Sequence, residues 1–149
     1  MNTSRPKVPA PAAPPAPRVI EVSAALIFRD GKLLITRRRA GDHLGGLWEF
    51  PGGKREAGET FEQCLAREIR EELGAEISVG KLFAEVVHDY PEKSVHLKFF
   101  SCRLLAGEPR PIECADVCWV GPGELARFDF PAADTQLLAQ LKATPAAWA

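Results

Sequence analysis

Apolar positions along this chain recur in two rhythms, and each rhythm predicts its own kind of element. Residues 19–28 are rich in β-branched and apolar side chains, and Asp30-Gly31 separates them from a second such run over 33–36. Two runs around a tight-turn dipeptide predict a β-hairpin. Residues 81–88 and 95–104 flank a polar turn over 89–94 and predict a second antiparallel pair, and 117–120 predicts one more short strand. Helical spacing is found mainly in 60–73, where Phe61, Leu65, Ile69 and Leu73 form one apolar stripe. Thr60 and Gln63 predict a capping box at its start, and Gly74 a left-handed stop. A short helical turn over 123–127 and a helix over 133–141 complete the pattern. Strands and helices do not alternate regularly, which predicts an α+β mixed-sheet fold rather than a doubly wound sheet.

Before Arg18 the rhythm is missing. Six of the 13 prolines (Pro6, Pro9, Pro11, Pro14, Pro15 and Pro17) stand there among alanines. The division expected is therefore a disordered, polyproline-biased tail over 1–18, which also suits an SH3-type ligand, and one folded domain over 19–149. The tail has no continuous apolar segment of the kind a secretory signal needs, so a cytoplasmic location and reduced thiols are expected.

Composition narrows the function classes. The 149 residues carry 19 Lys+Arg against 20 Asp+Glu, a formal net charge of -1. Near-neutrality gives no field for holding nucleic acid in bulk, and no apolar run is long enough to span a membrane. Cys64, Cys102, Cys114 and Cys118 include no Cys-x-x-Cys pair, and His43, His88 and His96 are scattered, which disfavours structural zinc and a disulfide framework.

Charge is uneven, however. Residues 52–77 hold seven glutamates against four basic residues. Glu68, Glu71 and Glu72 fall at i, i+3 and i+4 on one helical face, where like charges repel and the helix C-terminus disfavours them further. Two readings follow: a solvated helix with Arg67 and Arg70 as partners, or oxygen ligands converging on Mg²⁺ or Mn²⁺ beside a glycine loop.

The spacing of the whole segment distinguishes the two. Gly53, five residues, Glu59, seven residues, then Arg67-Glu68-Ile69-Arg70-Glu71-Glu72-Leu73-Gly74 resembles the Nudix box of the Nudix hydrolases. Ala75 departs from the larger aliphatic residue usual there, at a packing position. Ile35-Thr36-Arg37-Arg38, Leu47-Trp48-Glu49-Phe50-Pro51-Gly52-Gly53, and Trp119 through Phe130-Pro131-Ala132-Ala133-Asp134 resemble the MutT branch in the same order. The resemblance implies a Nudix-type α/β/α sandwich, with Mg²⁺-dependent cleavage of a nucleoside triphosphate to the monophosphate and pyrophosphate. The best-known MutT substrate is 8-oxo-dGTP. A related branch acts on CTP and oxidised cytidine nucleotides, and ADP-ribose and dinucleoside polyphosphates are further substrates within the family. A retained fold serving only as a nucleotide-sensing module would predict a damaged box, and this one is intact.

By the same resemblance Gly52 (through its carbonyl), Glu68, Glu71 and Glu72 are the metal ligands. Arg67 orients those carboxylates. Glu59 either bridges to the metal shell and positions water or simply favours a helix N-terminus. Glu113 is a general base, an extra ligand or a solvated loop residue. Arg38 is placed to grip phosphate, with Arg37 and Arg39 facing solvent. Phe50 and Tyr90 pack against the base or serve core and hairpin packing, and Trp48 and Trp119 are expected in the core. At Asp134 MutT has asparagine; an ionised aspartate only accepts hydrogen bonds, so Asp134 suits the N–H groups of an oxidised purine or equally the amine of cytosine, or donates if protonated. It also reads as the cap of the last helix. The expected partner is a small nucleotide, without stable nucleic acid or membrane. Monomer and dimer both remain compatible with the pattern.

Overall fold

The computed structural model describes residues 18–149. The tail expected over 1–18 therefore lies outside the described residues except for Arg18, which is already the first residue of a strand. Seven strands follow in chain order: β1 (Arg18–Arg29), β2 (Lys32–Arg37), β3 (Trp48–Glu49), β4 (Gly52–Lys54), β5 (Glu76–Asp89), β6 (Lys93–Ala106) and β7 (Asp116–Val120). The two α-helices are α1 (Phe61–Leu73) and α2 (Thr135–Lys142), with short 3₁₀ turns at Leu125–Arg127, Ala132–Asp134 and Pro145–Trp148. Among the described residues no helix is long and apolar enough to cross a membrane.

The sheet runs β3-β2-β1-β6-β5, with β4 added on β1 and β7 on β2. It is mixed, because β1 and β6 are parallel while the other pairings are antiparallel. The predicted hairpin closes through Asp30 and Gly31, both left-handed (φ 52° and 73°), with Arg29 opposite Lys32. That geometry matches the twist of the flanking strands.

Strand alternation explains the layers. Ala24, Leu26 and Phe28 point to one face, where they pack with Leu137 and Leu141 of α2 and with Trp148. Ala25 and Ile27 point to the other, against Leu65, Ile69 and Leu73 of α1 and against Ala75. β1 is thus covered on both sides, giving the expected α/β/α sandwich in the α+β class. Trp48 and Trp119 are partly buried against these two clusters.

α1 has the ends its sequence specifies. Gln63 N–H donates to Thr60 Oγ1 at 3.0 Å, Thr60 N–H donates to Gln63 Oε1 at 2.8 Å, and the Gly74 N–H donates to the Arg70 carbonyl. Several boundaries differ from expectation. β3 and β4 occupy stretches too short and glycine-rich for a strand pattern, and exist because β2 and β1 supply partners. β5 begins at Glu76 rather than 81, with irregular pairing between Val79 and Ala84 that breaks its alternation. The last helix is split by a 3₁₀ turn, and Asp134 at its start makes no side-chain capping bond.

Candidate active site

β4 and the loop after it bring α1 against β1 at close range. A Cβ on Gly52 would lie 1.9 Å from the Ser23 carbonyl oxygen, and one on Gly53 would lie 2.3 Å from the Glu68 carboxyl carbon. Any side chain at either position would push the loop off the strand or displace Glu68.

Arg67 organises the helix face. Its Nη2 and Nε donate to the two oxygens of Glu59 at 2.7 and 3.1 Å, Nη1 donates to Glu68 at 3.0 Å and to Glu71 at 3.3 Å, and Nη2 reaches the Lys54 carbonyl at 3.2 Å. A two-pronged guanidinium contact fixes orientation as well as charge. The Arg67 guanidinium, helped by the Glu56 backbone N–H, holds the Glu59 carboxyl down to about 2. Arg67 itself is raised by the same carboxylates.

Glu72 lacks such a partner. Burial, then the charges of Glu68, Glu49 and Glu113, push its carboxyl up to about 8, while a backbone hydrogen bond from Gly52 works the other way. Glu68 is raised as well, by burial first, with Arg67 opposing. Among the described residues Glu72 makes no ion pair, whereas Glu59, Glu68 and Glu71 share Arg67. No three Asp, Glu, His or Cys side chains among the described residues are already gathered closely enough to hold a metal ion. The donor set nevertheless fits a hard divalent cation: it is all oxygen and crowded by like charges, and the burial and repulsion that raise Glu72 are what a cation there would offset. Glu113 is exposed, but its backbone N–H donates to the Glu72 carbonyl at 3.1 Å, which ties its loop to the end of α1.

A cleft of about 320 Å³ opens beside this face. Val22, Ala24, Leu97 and Phe99 supply apolar lining, and Arg38, Glu49, Lys54, Glu72 and Asp134 the polar groups. A larger recess of about 460 Å³, lined among others by Leu125, Phe128, Phe130 and Leu138, contains none of the α1 carboxylates, whereas the smaller cleft contains Glu72.

The cleft gathers some expected residues and not others. Asp134 lines it, free of any capping bond, and burial followed by the Glu49 charge pushes its carboxyl up to about 6. Phe50 also lines it, but the ring is only 6% exposed and is committed to the core, stacked on Phe130 at 5.3 Å and edge-on to Phe99 at 6.1 Å. Arg38 is largely occupied: Nη1 donates to Glu49 at 2.9 Å and Nε to the His43 carbonyl at 2.6 Å, with Nη2 making no hydrogen bond among the described residues. Arg37 and Arg39 are spent on backbone carbonyls of Gly46 and Ile112. Of the two places expected for Tyr90, against the base or in hairpin packing, the structure shows the second. The residue sits at the β5–β6 turn, 48% exposed, near His88 and Lys93, and does not line the cleft. The strands run on to Asp89 and Lys93, so Tyr90 falls in the turn between them.

Two cleft residues escaped the sequence reading. Glu49, half-buried and raised by that burial against the pull of Arg38, lies opposite Thr36 in the two-residue β3. Its signal was its place beside Trp48, since alternation sends one inward and the other to the opposite face. Lys54 ends β4, a strand that only pairing with β1 reveals.

Comparison with known proteins places this geometry. Residues 23–140 match the family described as NUDIX domain. The chain is 38% identical to the CTP pyrophosphohydrolase of Escherichia coli (strain K12) over 130 residues, covering 87% of this chain and 96% of the relative. It is 34% identical to the 8-oxo-dGTP diphosphatase of the same organism over 124 residues, covering 83% and 96%. Among solved structures, that of the E. coli ORF135 protein superposes with a TM-score of 0.76 at 37% identity, covering 88% of this chain and 94% of that one.

Proposed function

The chain belongs to the NUDIX domain family, and from that premise we propose that it hydrolyses nucleoside triphosphates to the monophosphate and pyrophosphate, with Mg²⁺ as its metal and Mn²⁺ as a substitute. Oxidised nucleotides such as 8-oxo-dGTP are the substrates proposed first, removed before a polymerase can use them. Nudix hydrolases generally use divalent metal ions and act on small nucleotides. The observation that carries the reading is the cleft itself, which joins Glu72, half-buried and without an ion pair among the described residues, at one part of its lining to an uncapped Asp134 at another.

Glu68, Glu71 and Glu72, with the Gly52 carbonyl, would hold the metal. When bound it neutralises phosphate charge and makes water nucleophilic near neutral pH. Arg67 keeps Glu68 and Glu71 in place through its grip on Glu59, so Glu59 acts by positioning. Glu113, tethered beside Glu72, is the candidate acceptor of the proton that the attacking water loses. As that water bonds to phosphorus, the bond to the bridging oxygen breaks and pyrophosphate leaves. Arg38 Nη2 and Lys54 are available to the phosphates, and Asp134 with the rim of Phe50 to the base.

A second reading is favoured by Asp134 and by the CTP pyrophosphohydrolase relative: CTP or 5-hydroxy-CTP as substrate. An ionised carboxylate accepts from a cytosine amine, whereas 8-oxoguanine asks for a donor as well. The test is pyrophosphate release with Mg²⁺ from dGTP, 8-oxo-dGTP, dCTP, 5-hydroxy-dCTP, dATP and ADP-ribose, compared by kcat/KM. Glu68→Gln should reduce turnover by about 100-fold or more. Release of inorganic phosphate instead, or full activity in Glu68→Gln, would contradict the proposal.

A further inference from the structure

Outside the cleft, Arg55 is bonded more heavily than a loop residue needs to be. Its backbone N–H donates to the Glu21 carbonyl at 2.8 Å, Nη2 donates to the Glu21 carboxylate at 2.7 Å, and Nη1 donates to the Glu59 carbonyl at 2.7 Å. The guanidinium also lies 5.7 Å from the Phe61 ring centre, and its buried Nε has no partner. Leaving a buried donor unmet is costly, so the arrangement sacrifices one bond to keep the other two aligned. Neither Glu21 nor Arg55 lines the cleft.

What the two bonds align is Glu59. Arg55 takes its carbonyl, while Arg67 and the Glu56 N–H take its carboxylate. Glu59 is thereby pinned at both ends, and the far end carries the guanidinium that touches Glu68 and Glu71. We propose that the Glu21–Arg55 pair is a positioning element for the metal-holding face of α1, acting through Glu59 and Arg67. This rests on the reading that the α1 glutamates hold a divalent metal. An ion pair with each side chain nearly a third exposed contributes little stability by itself, so a stapling role and a positioning role predict different results.

The experiment uses the full chain and measures Mn²⁺ binding by electron paramagnetic resonance, together with kcat, KM and Tm. Arg55→Met, which keeps the aliphatic stem, should weaken Mn²⁺ binding and lower kcat by about tenfold while leaving KM for the nucleotide within about twofold. Glu59→Gln should do the same, and the double variant should be no worse than Glu59→Gln alone, because both interrupt one chain of contacts. Native Mn²⁺ affinity and kcat in Arg55→Met, with only Tm lowered, would overturn the proposal, as would additive losses in the double variant. Should Arg55→Met fail to fold, Arg55→Lys decides by the same readouts, since an ammonium keeps the charge beside Glu21 but cannot span both partners. Glu68→Gln separates the two levels. If it binds Mn²⁺ as the wild type does, the metal reading falls; if it loses Mn²⁺ while Arg55→Met does not, only the positioning role falls.

Discussion

Replacing Asp134 with asparagine tests how the cleft chooses a base. Asp134 is raised from an ordinary value of 3.8 to about 6, by burial first and the Glu49 charge second. At pH 7.5 about 3% of the free protein therefore carries the neutral, donating form, at a cost of about 2 kcal/mol relative to the ionised one. A base that needs a donor at this position bears that cost, and asparagine removes it. For 8-oxo-dGTP, Asp134→Asn should raise kcat/KM by up to about 30-fold at pH 7.5 and by only about twofold at pH 6, where half of the wild type is already neutral. Cytidine substrates, which use the ionised acceptor, should lose activity on the same substitution. The assay is the ratio of kcat/KM for 8-oxo-dGTP and 5-hydroxy-dCTP from pH 5.5 to 8.5 at fixed free Mg²⁺. In the wild type the ratio should fall as pH rises through 6; in the variant it should be flat. A ratio that ignores both pH and the substitution would remove Asp134 from base recognition. Stability supplies an independent check. Because the folded value lies above the unfolded one, Asp134 imposes no penalty below about pH 4, and a penalty that grows as pH rises through 6. Asp134→Asn should consequently raise folding stability at neutral pH by on the order of 1–2 kcal/mol once partial water access is allowed for, and Tm with it.

Two further outcomes are expected. Mn²⁺ or Mg²⁺ should raise Tm, by about 2.7 kcal/mol of stability at a hundredfold excess over Kd, and a chelator should reverse the rise. The shift should be larger at pH 8.5 than at pH 6, because below its value of about 8 Glu72 must first lose a proton; a shift equal at both pH values would exclude Glu72 as a ligand. Tyr90→Ala should leave kcat/KM within about twofold for every nucleotide tested, since the ring stands outside the cleft. A large loss would show that the β5–β6 turn closes over the substrate.

What could be read in advance was whatever neighbouring residues decide among themselves. The cap from Thr60 to Gln63, the stop at Gly74, the Asp30-Gly31 turn and the spacing of Glu68, Glu71 and Glu72 are all local, and each has its place in the structure. What escaped depends on distant partners. β3 and β4 are strands only because Thr36 and Ser23 pair with them, so Lys54 gave no periodic signal and Glu49 only its alternation with Trp48. Arg38 looked free because its acceptor, Glu49, stood in a segment with no discernible element. Asp134 is raised by burial and by the charge of the distant Glu49, and an N-cap position alone gave no hint of either.

The parallel pairing of β1 with β6 bears on how the protein is made. Val22 lies opposite Leu97 and Ala24 opposite Phe99, and these four residues line the cleft. Each pair is separated by about half of the chain, so the seam closes only after the loop, α1 and β5 have all been synthesised. Long-range closures of this kind are slow relative to helix formation. A nascent chain will therefore carry its acidic helix before it has a cleft for that helix to serve. Until β6 docks, the glutamate face of α1 stands beside no walled space, because Leu97 and Phe99 are not yet in place.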